Sequence, residues 1–387
     1  MDWLGEESRR IQQEGLWRAR NAVTPLSGGR CRRNGKTLVD FSTNDYLNLA
    51  GDERVIEAAR TALADVGCGS RASALVSGRT EWHAQLEERL AQFEGQESAI
   101  LFPTGYAANV GTISTLIGSD DIIFCDRLNH ASLLDGCRQS GAKLRVYRHN
   151  ELKKLEDQLA NSSGKFRRCW IITDGVFSME GDIAPLELLC DLAKQFDAHV
   201  LVDEAHGTGV FGKKGRGVAE FLNVENDIAV RTGTLSKAIG CLGGFVAGPR
   251  ELTDFLWNTA RPQMFSTALP PPICAAATAA LDVIAADPER RTRLHVVSAY
   301  LREQLQTRGL QIPNGCASPI VPVIIGDPKR TVAVGQLLEE RGFLVAAIRP
   351  PTVPQNSSRL RISITAAHTE EQIDQLTDAL VKFLRDN

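Results

Sequence analysis

The chain lacks any apolar run long enough to cross a bilayer. Its longest apolar region, Ile273 to Ala286, follows three prolines, contains Asp282 and falls short of the ~20 residues a spanning helix needs; it reads as a buried helix. The acidic N-terminus Met1-Asp2-Trp3-Leu4-Gly5-Glu6-Glu7 does not read as a signal peptide with its basic and apolar regions. No charge of one sign dominates: the net charge is −3, which argues against a nucleic-acid binder with its basic face. The short cluster Lys213-Lys214-Gly215-Arg216 reads as a solvated loop. There is no C-x-x-C pair, and the nine cysteines are odd in number and scattered. That pattern predicts reduced thiols, a cytoplasmic protein and no metal site. The sequons at Asn161 and Asn356 are then accidental.

What is present is strand–helix alternation. With 387 residues the chain exceeds one compact core, so two domains are expected. Residues 1–40 read as an amphipathic helix (Leu4, Ile11, Leu16, Trp17) followed by a hairpin arm. From residue 41, short Val/Ile/Leu runs predict strands at Ala99-Phe102, Ile122-Cys125, Leu144-Tyr147, Trp170-Thr173, His199-Val202, Ile228-Arg231 and Gly244-Ala247. Helical spacing lies between them, as in Trp82, Leu86, Leu90 and Phe93. Continuous apolar strands predict an α/β domain, residues 41–285, with a mostly parallel seven-stranded sheet covered by helices. A long helical stretch, about Ile273 to Thr307, leads to strands at Ile320-Ile325, Leu344-Ile348 and Leu360-Ile364. Residues 286–387 therefore read as a smaller α+β domain.

Polar residues cluster where the predicted strands end at their carboxyl edge, which is where ligands bind in open α/β sheets. Lys237 closes Thr234-Leu235-Ser236-Lys237, among small and apolar neighbours. A surface lysine is the plain alternative; a half-buried one loses charge stabilisation and becomes a nucleophilic amine. Asp203 ends an apolar strand, where a bare carboxylate is costly unless paired. A lysine able to form a Schiff base with an aldehyde cofactor, and a carboxylate able to keep a pyridine nitrogen protonated, together point to pyridoxal 5′-phosphate (PLP). His206, three residues on, is placed to reach the ring oxygen of that cofactor.

Rival readings attach to the same segment. Asp203-Glu204-Ala205-His206 spells a helicase box, but no G-x-x-x-x-G-K-[ST] loop exists in the chain. Gly207 to Gly212 matches G-x-G-x-x-G, yet a Gly/Lys loop follows it instead of a helix. Gly105, Tyr106 and Asn109 lie in Pro103-Thr104-Gly105-Tyr106-Ala107-Ala108-Asn109, which opens a helix after a strand. A helix start suits a phosphate, and Gly105 lets the backbone come close; a tight turn is the alternative. Thr234 and Ser236 add hydroxyl donors. His130 follows another strand, where it can stack on an aromatic ring or be merely structural. Ser178, in Asp174-Gly175-Val176-Phe177-Ser178-Met179, repeats the pattern of polar groups beyond a strand. Five strand ends thus converge on one edge.

Together these residues resemble the α-oxoamine synthase family, fold-type I PLP-dependent enzymes that condense an amino acid with an acyl thioester. The resemblance covers nearly the whole chain, through Asn44-Asp45-Tyr46-Leu47, Asp126 to His130, Asp174 to Met179, Asp203 to Gly209, Thr234 to Lys237 and Arg359-Leu360-Arg361. It implies that Lys237 holds PLP, that Asp203 pairs with the pyridine nitrogen, that His130 stacks on the ring and that His206 lies near its oxygen. Lys237, Asp203 and His130 are the catalytic candidates, and Arg361 with Asn44 nearby would bind the amino-acid carboxylate. It also implies a homodimer in which Ser266 and Thr267 reach the neighbouring subunit's phosphate. The segment Ala347-Ile348-Arg349-Pro350-Pro351-Thr352-Val353-Pro354 looks most like the biotin-pathway branch, which implies L-alanine and a pimeloyl thioester of CoA or a carrier protein. Thr352 and an N-terminal arginine, Arg20 or Arg18, are then candidate substrate contacts. A sibling activity on glycine or serine shares every cofactor residue. The loop Ser70-Arg71-Ala72-Ser73-Ala74 departs from the glycine-richer form of some members, which leaves the acyl-chain contacts open.

Overall fold

A computed structural model of the chain describes residues 1–313 and 315–385; the last two residues of the expected small domain lie outside it. By internal contact the chain forms two compact units. One comprises Met1–Asn48, Met179–Asp182 and the residues from Thr292 onward; the other comprises Leu49–Ser178 and Ile183–Arg291.

The second, larger unit is built on seven strands: β1 Ser98–Phe102, β2 Ile122–Asp126, β3 Lys143–Tyr147, β4 Cys169–Asp174, β5 Ala198–Asp203, β6 Val230–Thr234 and β7 Gly244–Gly248. Their order across the sheet is β1-β7-β6-β5-β4-β2-β3. β7 pairs antiparallel with both β1 and β6, and the remaining pairings are parallel. Every residue of β2, β4 and β6 is buried, as a sheet covered on both faces requires. Ile100, Ile123, Ile172, Leu201 and Val246 of the sheet join one apolar cluster with Ala108 and Ile113 of the helix Gly105–Leu116 and Leu133 of the helix Ala131–Gln139.

Six of the strands fall within a residue or two of their expected positions. The remaining one, β6, is shifted: the segment expected at Ile228-Arg231 begins only at Val230 and runs on to Thr234. A single 3₁₀ turn, Glu225–Asp227, occupies the preceding residues. The strand then continues through polar residues whose buried groups are all partnered. Arg231 pairs with Glu225 at 2.8 Å, Thr232 donates to Asn109 Oδ1 at 2.6 Å, and Thr234 donates to the Gly243 carbonyl at 2.8 Å. The helical stretch after Pro270 is also two helices, Pro271–Ala286 and Pro288–Thr307. Pro288 has no N–H to donate and its ring blocks the preceding turn, so the first helix ends and the second starts on it.

In the smaller unit the N-terminal helix, Asp2–Gln13, stops before Leu16 and Trp17. Gly15 turns the chain at φ +70°, where glycine carries no steric penalty. The hairpin strands Thr24–Leu26, Arg30–Arg33 and Lys36–Asp40 take a fourth, parallel partner, Phe343–Leu344. A second sheet places Ser358–Ser363 between Ile320–Gly326 and Ala346–Ile348, antiparallel to both. Among the described residues no helix is long and apolar enough to cross a membrane.

Candidate active site

Asp203 is the last residue of β5 and is 4% exposed. Its Oδ1 accepts from the Ala205 amide at 2.8 Å and its Oδ2 from Asn109 Nδ2 at 2.6 Å. Two N–H donors offset much of the cost of burying this carboxylate. Asp174, the last residue of β4, is its register partner and is also buried. Burial, reinforced by the charge of Asp203, raises the pKa of Asp174 well above the usual carboxylate range. Asp174 Oδ2 accepts from the His130 amide at 2.7 Å, while Asn129 Oδ1 accepts from the Asp174 amide at 3.1 Å.

His130 caps the helix Ala131–Gln139. Its Nδ1 lies 2.7 Å from Ser132 Oγ, and the Ser132 amide donates to it at 3.3 Å. The residue keeps an accessible surface, yet the protein around the ring shields it from water enough to hold its pKa below the ordinary value. Asp203's charge opposes that lowering and Lys237's reinforces it. Lys237 stands half-buried three residues beyond β6. Its charge also stabilises the ionised form of Asp174, so the amine, both carboxylates and the imidazole share one electrostatic neighbourhood. The loop that carries the lysine is closed by the Gly240 amide donating to the Lys237 carbonyl at 2.8 Å. Gly240 has φ +73°, and an added Cβ would come within 2.5 Å of the Ala50 amide, so only glycine suits that turn.

Gly105 opens the helix Gly105–Leu116, and the side chain of the N-cap residue Thr104 accepts from the Ala107 amide at 3.0 Å. A Cβ on Gly105 would lie 3.0 Å from the Thr234 side chain, which leaves first-turn amides beside the Thr234 and Ser236 hydroxyls. These hydroxyls are 2.8 Å apart. First-turn amides with the positive end of the helix dipole suit a phosphate group. Tyr106 is 47% exposed and donates its hydroxyl to Asp135. His206 is buried and Ser178 half-buried, each just beyond its strand. Thr267 is exposed and forms an isolated bridge with Ser73.

The rival motifs have other work. Glu204 accepts from the Val218 and Ala219 amides at 2.9 and 2.8 Å, capping the four-residue helix Val218–Phe221; burial pushes its pKa up to about 7. The glycines of Gly207 to Gly212 turn the chain before that short helix, so no helix opens on them as a dinucleotide loop requires.

The residues expected to bind the amino-acid carboxylate lie in the smaller unit. Arg361 is 5% exposed on the strand Ser358–Ser363. Its Nη1 donates to Ser363 Oγ at 2.7 Å and Asn44 Oδ1 at 3.1 Å, and its Nη2 to the Tyr46 hydroxyl at 3.3 Å. Arg359, two residues earlier, is bound to Glu180 at 2.8 Å. Thr352 and Arg20 are exposed. Arg18 donates to the carbonyls of Arg349 and Pro350 at 3.3 and 3.2 Å. Asn109, which touches Asp203, is a buried polar residue of the site that the sequence places only in the turn opening its helix.

Residues 36–380 match the family described as aminotransferase class I and II. The chain is 46% identical over 386 residues to the 8-amino-7-oxononanoate synthase of Anaeromyxobacter dehalogenans (strain 2CP-1), which spans 100% of this chain and 96% of that protein. The chain belongs to the α-oxoamine synthases. Like its relatives in this family it is a PLP-dependent enzyme, and the amine, carboxylate and helix start described above fit that cofactor. A solved serine palmitoyltransferase from S. paucimobilis, with bound PLP–myriocin aldimine, superimposes with a TM-score of 0.94 at 34% identity over 100% of this chain and 97% of that one. The 8-amino-7-oxononanoate synthase of Francisella tularensis gives 0.79 at 31% identity, over 90% and 98%. As an α-oxoamine synthase the chain has the expected fold-type I architecture.

Proposed function

We propose that this α-oxoamine synthase condenses L-alanine with a pimeloyl thioester, of CoA or a carrier protein, releasing CO2 and the free thiol and giving 8-amino-7-oxononanoate. The observation that carries the reading is the 46% identity over the full chain to a relative named for that product. Backbone similarity does not separate siblings, because a serine palmitoyltransferase superimposes at 0.94.

PLP, when bound at Lys237, supplies an electron sink for the negative charge that develops at the amino acid's Cα. In the proposed reaction Arg361 binds the amino-acid carboxylate, its guanidinium already oriented by Ser363, Asn44 and Tyr46. The Lys237 amine takes the Cα proton and later returns one. Asp203 keeps the pyridine nitrogen cationic, and the Gly105 helix start with Thr234 holds the phosphate. His130, held neutral by its lowered pKa, stacks on the ring without adding a second cation beside Lys237. His206, Ser178 and Tyr106 complete the cofactor contacts. Thr267 serves the partner subunit's phosphate in a homodimer, while Thr352 and Arg20 touch the acyl substrate.

The experiment is thiol release by PLP-loaded protein, crossing L-alanine, glycine and L-serine with pimeloyl-, succinyl-, acetyl- and palmitoyl-CoA. Release confined to L-alanine with pimeloyl-CoA is expected. A preference for glycine or serine would move the enzyme to a sibling activity.

A further inference from the structure

We propose that Asn109 is a positioning residue for the cofactor, joining the pyridine-nitrogen carboxylate, the stacking imidazole and the phosphate helix in one buried hydrogen-bond chain. The proposal rests on the reading that Asp203 pairs with the pyridine nitrogen of PLP.

Asn109 is buried on the helix Gly105–Leu116, one turn past its start. Its three hydrogen bonds reach three other elements. Nδ2 donates to Asp203 Oδ2 at 2.6 Å, at the end of β5, and to Ser132 Oγ at 2.9 Å, on the helix Ala131–Gln139. Oδ1 accepts from Thr232 Oγ1 at 2.6 Å, on β6. The Asp203 carboxylate can only accept, so the amide nitrogen must face it; the oxygen then faces Thr232, whose hydroxyl donates. Both amide protons are then committed, one to a carboxylate and one to Ser132. Because Ser132 Oγ accepts there, its own proton is left for His130 Nδ1, 2.7 Å away. The Ser132 amide points at the same nitrogen, so Nδ1 is an acceptor and the ring proton sits on Nε2. One side chain thus sets the position of Asp203 and the tautomer of His130 while standing on the helix whose first turn faces the phosphate. A buried network of this kind rewards complete satisfaction and penalises a missing member.

The test compares PLP dissociation constants, the pH titration of the cofactor's visible band, and kcat against KM in the wild type and four variants. Asn109→Ala should weaken PLP by about 10- to 100-fold, the worth of one hydrogen bond to a charged group, shift the titration and lower kcat more than KM. Asn109→Asp, which keeps the shape, should be worse than Asn109→Ala, because it sets a second carboxylate against Asp203. A packing role predicts the reverse order, and that order overturns the proposal. Should both variants misfold by circular dichroism, Thr232→Val removes only the hydrogen bond to the amide oxygen. It should move the same readouts the same way by about 3- to 10-fold, and an unchanged band and affinity would overturn the proposal. Asp203→Asn separates the underlying reading: if it leaves band and affinity unmoved, that reading fails. If it moves them while the Asn109 and Thr232 variants do not, only the present proposal fails.

Discussion

Asp174 and Asp203 are register partners on the final rung of β4 and β5, two buried carboxyl groups at the edge where the candidate cofactor residues lie. They cannot both be charged cheaply. Burial, then the charge of Asp203, raises the pKa of Asp174 well above the usual carboxylate range, while its Oδ2 accepts from the His130 amide. Asp203 accepts from two N–H donors, the Asn109 amide and the Ala205 backbone.

Lys237→Ala should lower turnover by at least about 10³-fold, since both the cofactor linkage and the proton carrier are lost. The lysine-linked visible band should vanish with it. Thiol release and an absorbance spectrum of the same sample check this; activity within tenfold of wild type would remove Lys237 from its assigned role.

Arg361→Lys keeps the positive charge and removes the planar fork. If the guanidinium grips the amino-acid carboxylate through two parallel bonds, kcat/KM for the amino acid should fall by roughly 10²-fold with KM raised. The KM for the thioester should hardly change. Steady-state kinetics with each substrate varied in turn decide it.

Gly244→Ala should disturb the start of the helix Gly105–Leu116, the proposed phosphate site. The added Cβ would lie 2.3 Å from the Thr104 carbonyl oxygen and 2.6 Å from the Gly105 amide, both backbone atoms. A cost of about 1–3 kcal/mol and a weakened hold on PLP are expected, read by thermal melting with and without cofactor. Gly51→Ala, where nothing lies within 4 Å, should stay within about 0.5 kcal/mol of wild type.

His368 makes stability fall on the acid side. Its ring is buried, stacks on Phe41 at 4.2 Å and accepts from the Thr365 amide at 2.9 Å; burial lowers its pKa to about 4. The unfolded chain, with an ordinary imidazole, takes the proton first as pH falls. Stability should therefore drop between about pH 6.5 and 4, by up to roughly 3 kcal/mol from this group. Urea unfolding across that range should show a flatter acid limb for His368→Asn, and equal slopes would contradict the assignment.

Much of the larger unit could be read from the sequence because its strands are continuous apolar runs, a pattern that survives without tertiary knowledge. β6 runs further than expected because Thr232 and Thr234 look like loop residues until their buried partners are known. Asn109 was legible only as part of a turn, although a single amide between Ala108 and Val110 on a buried helix signals a required partner. The pairing of Lys36–Asp40 with Phe343–Leu344 and the contact of Asn44 with Arg361 join residues some three hundred apart. Nothing local encodes either; family resemblance pointed to the second and not to the first.

The smaller unit draws on both ends of the chain, and that has a consequence for synthesis. At roughly 5–20 residues per second, a ribosome that has made Asp40 needs about 15–60 s to reach Phe343, its strand's neighbour in the finished sheet. The larger unit, Leu49 to Arg291 apart from its four-residue gap, can emerge and begin to fold within that interval. The first forty-eight residues must wait, exposed, for the last hundred. Their half-exposed hairpin strands, two of the three carrying charged residues, are the kind of nascent edge that can wait without pairing elsewhere.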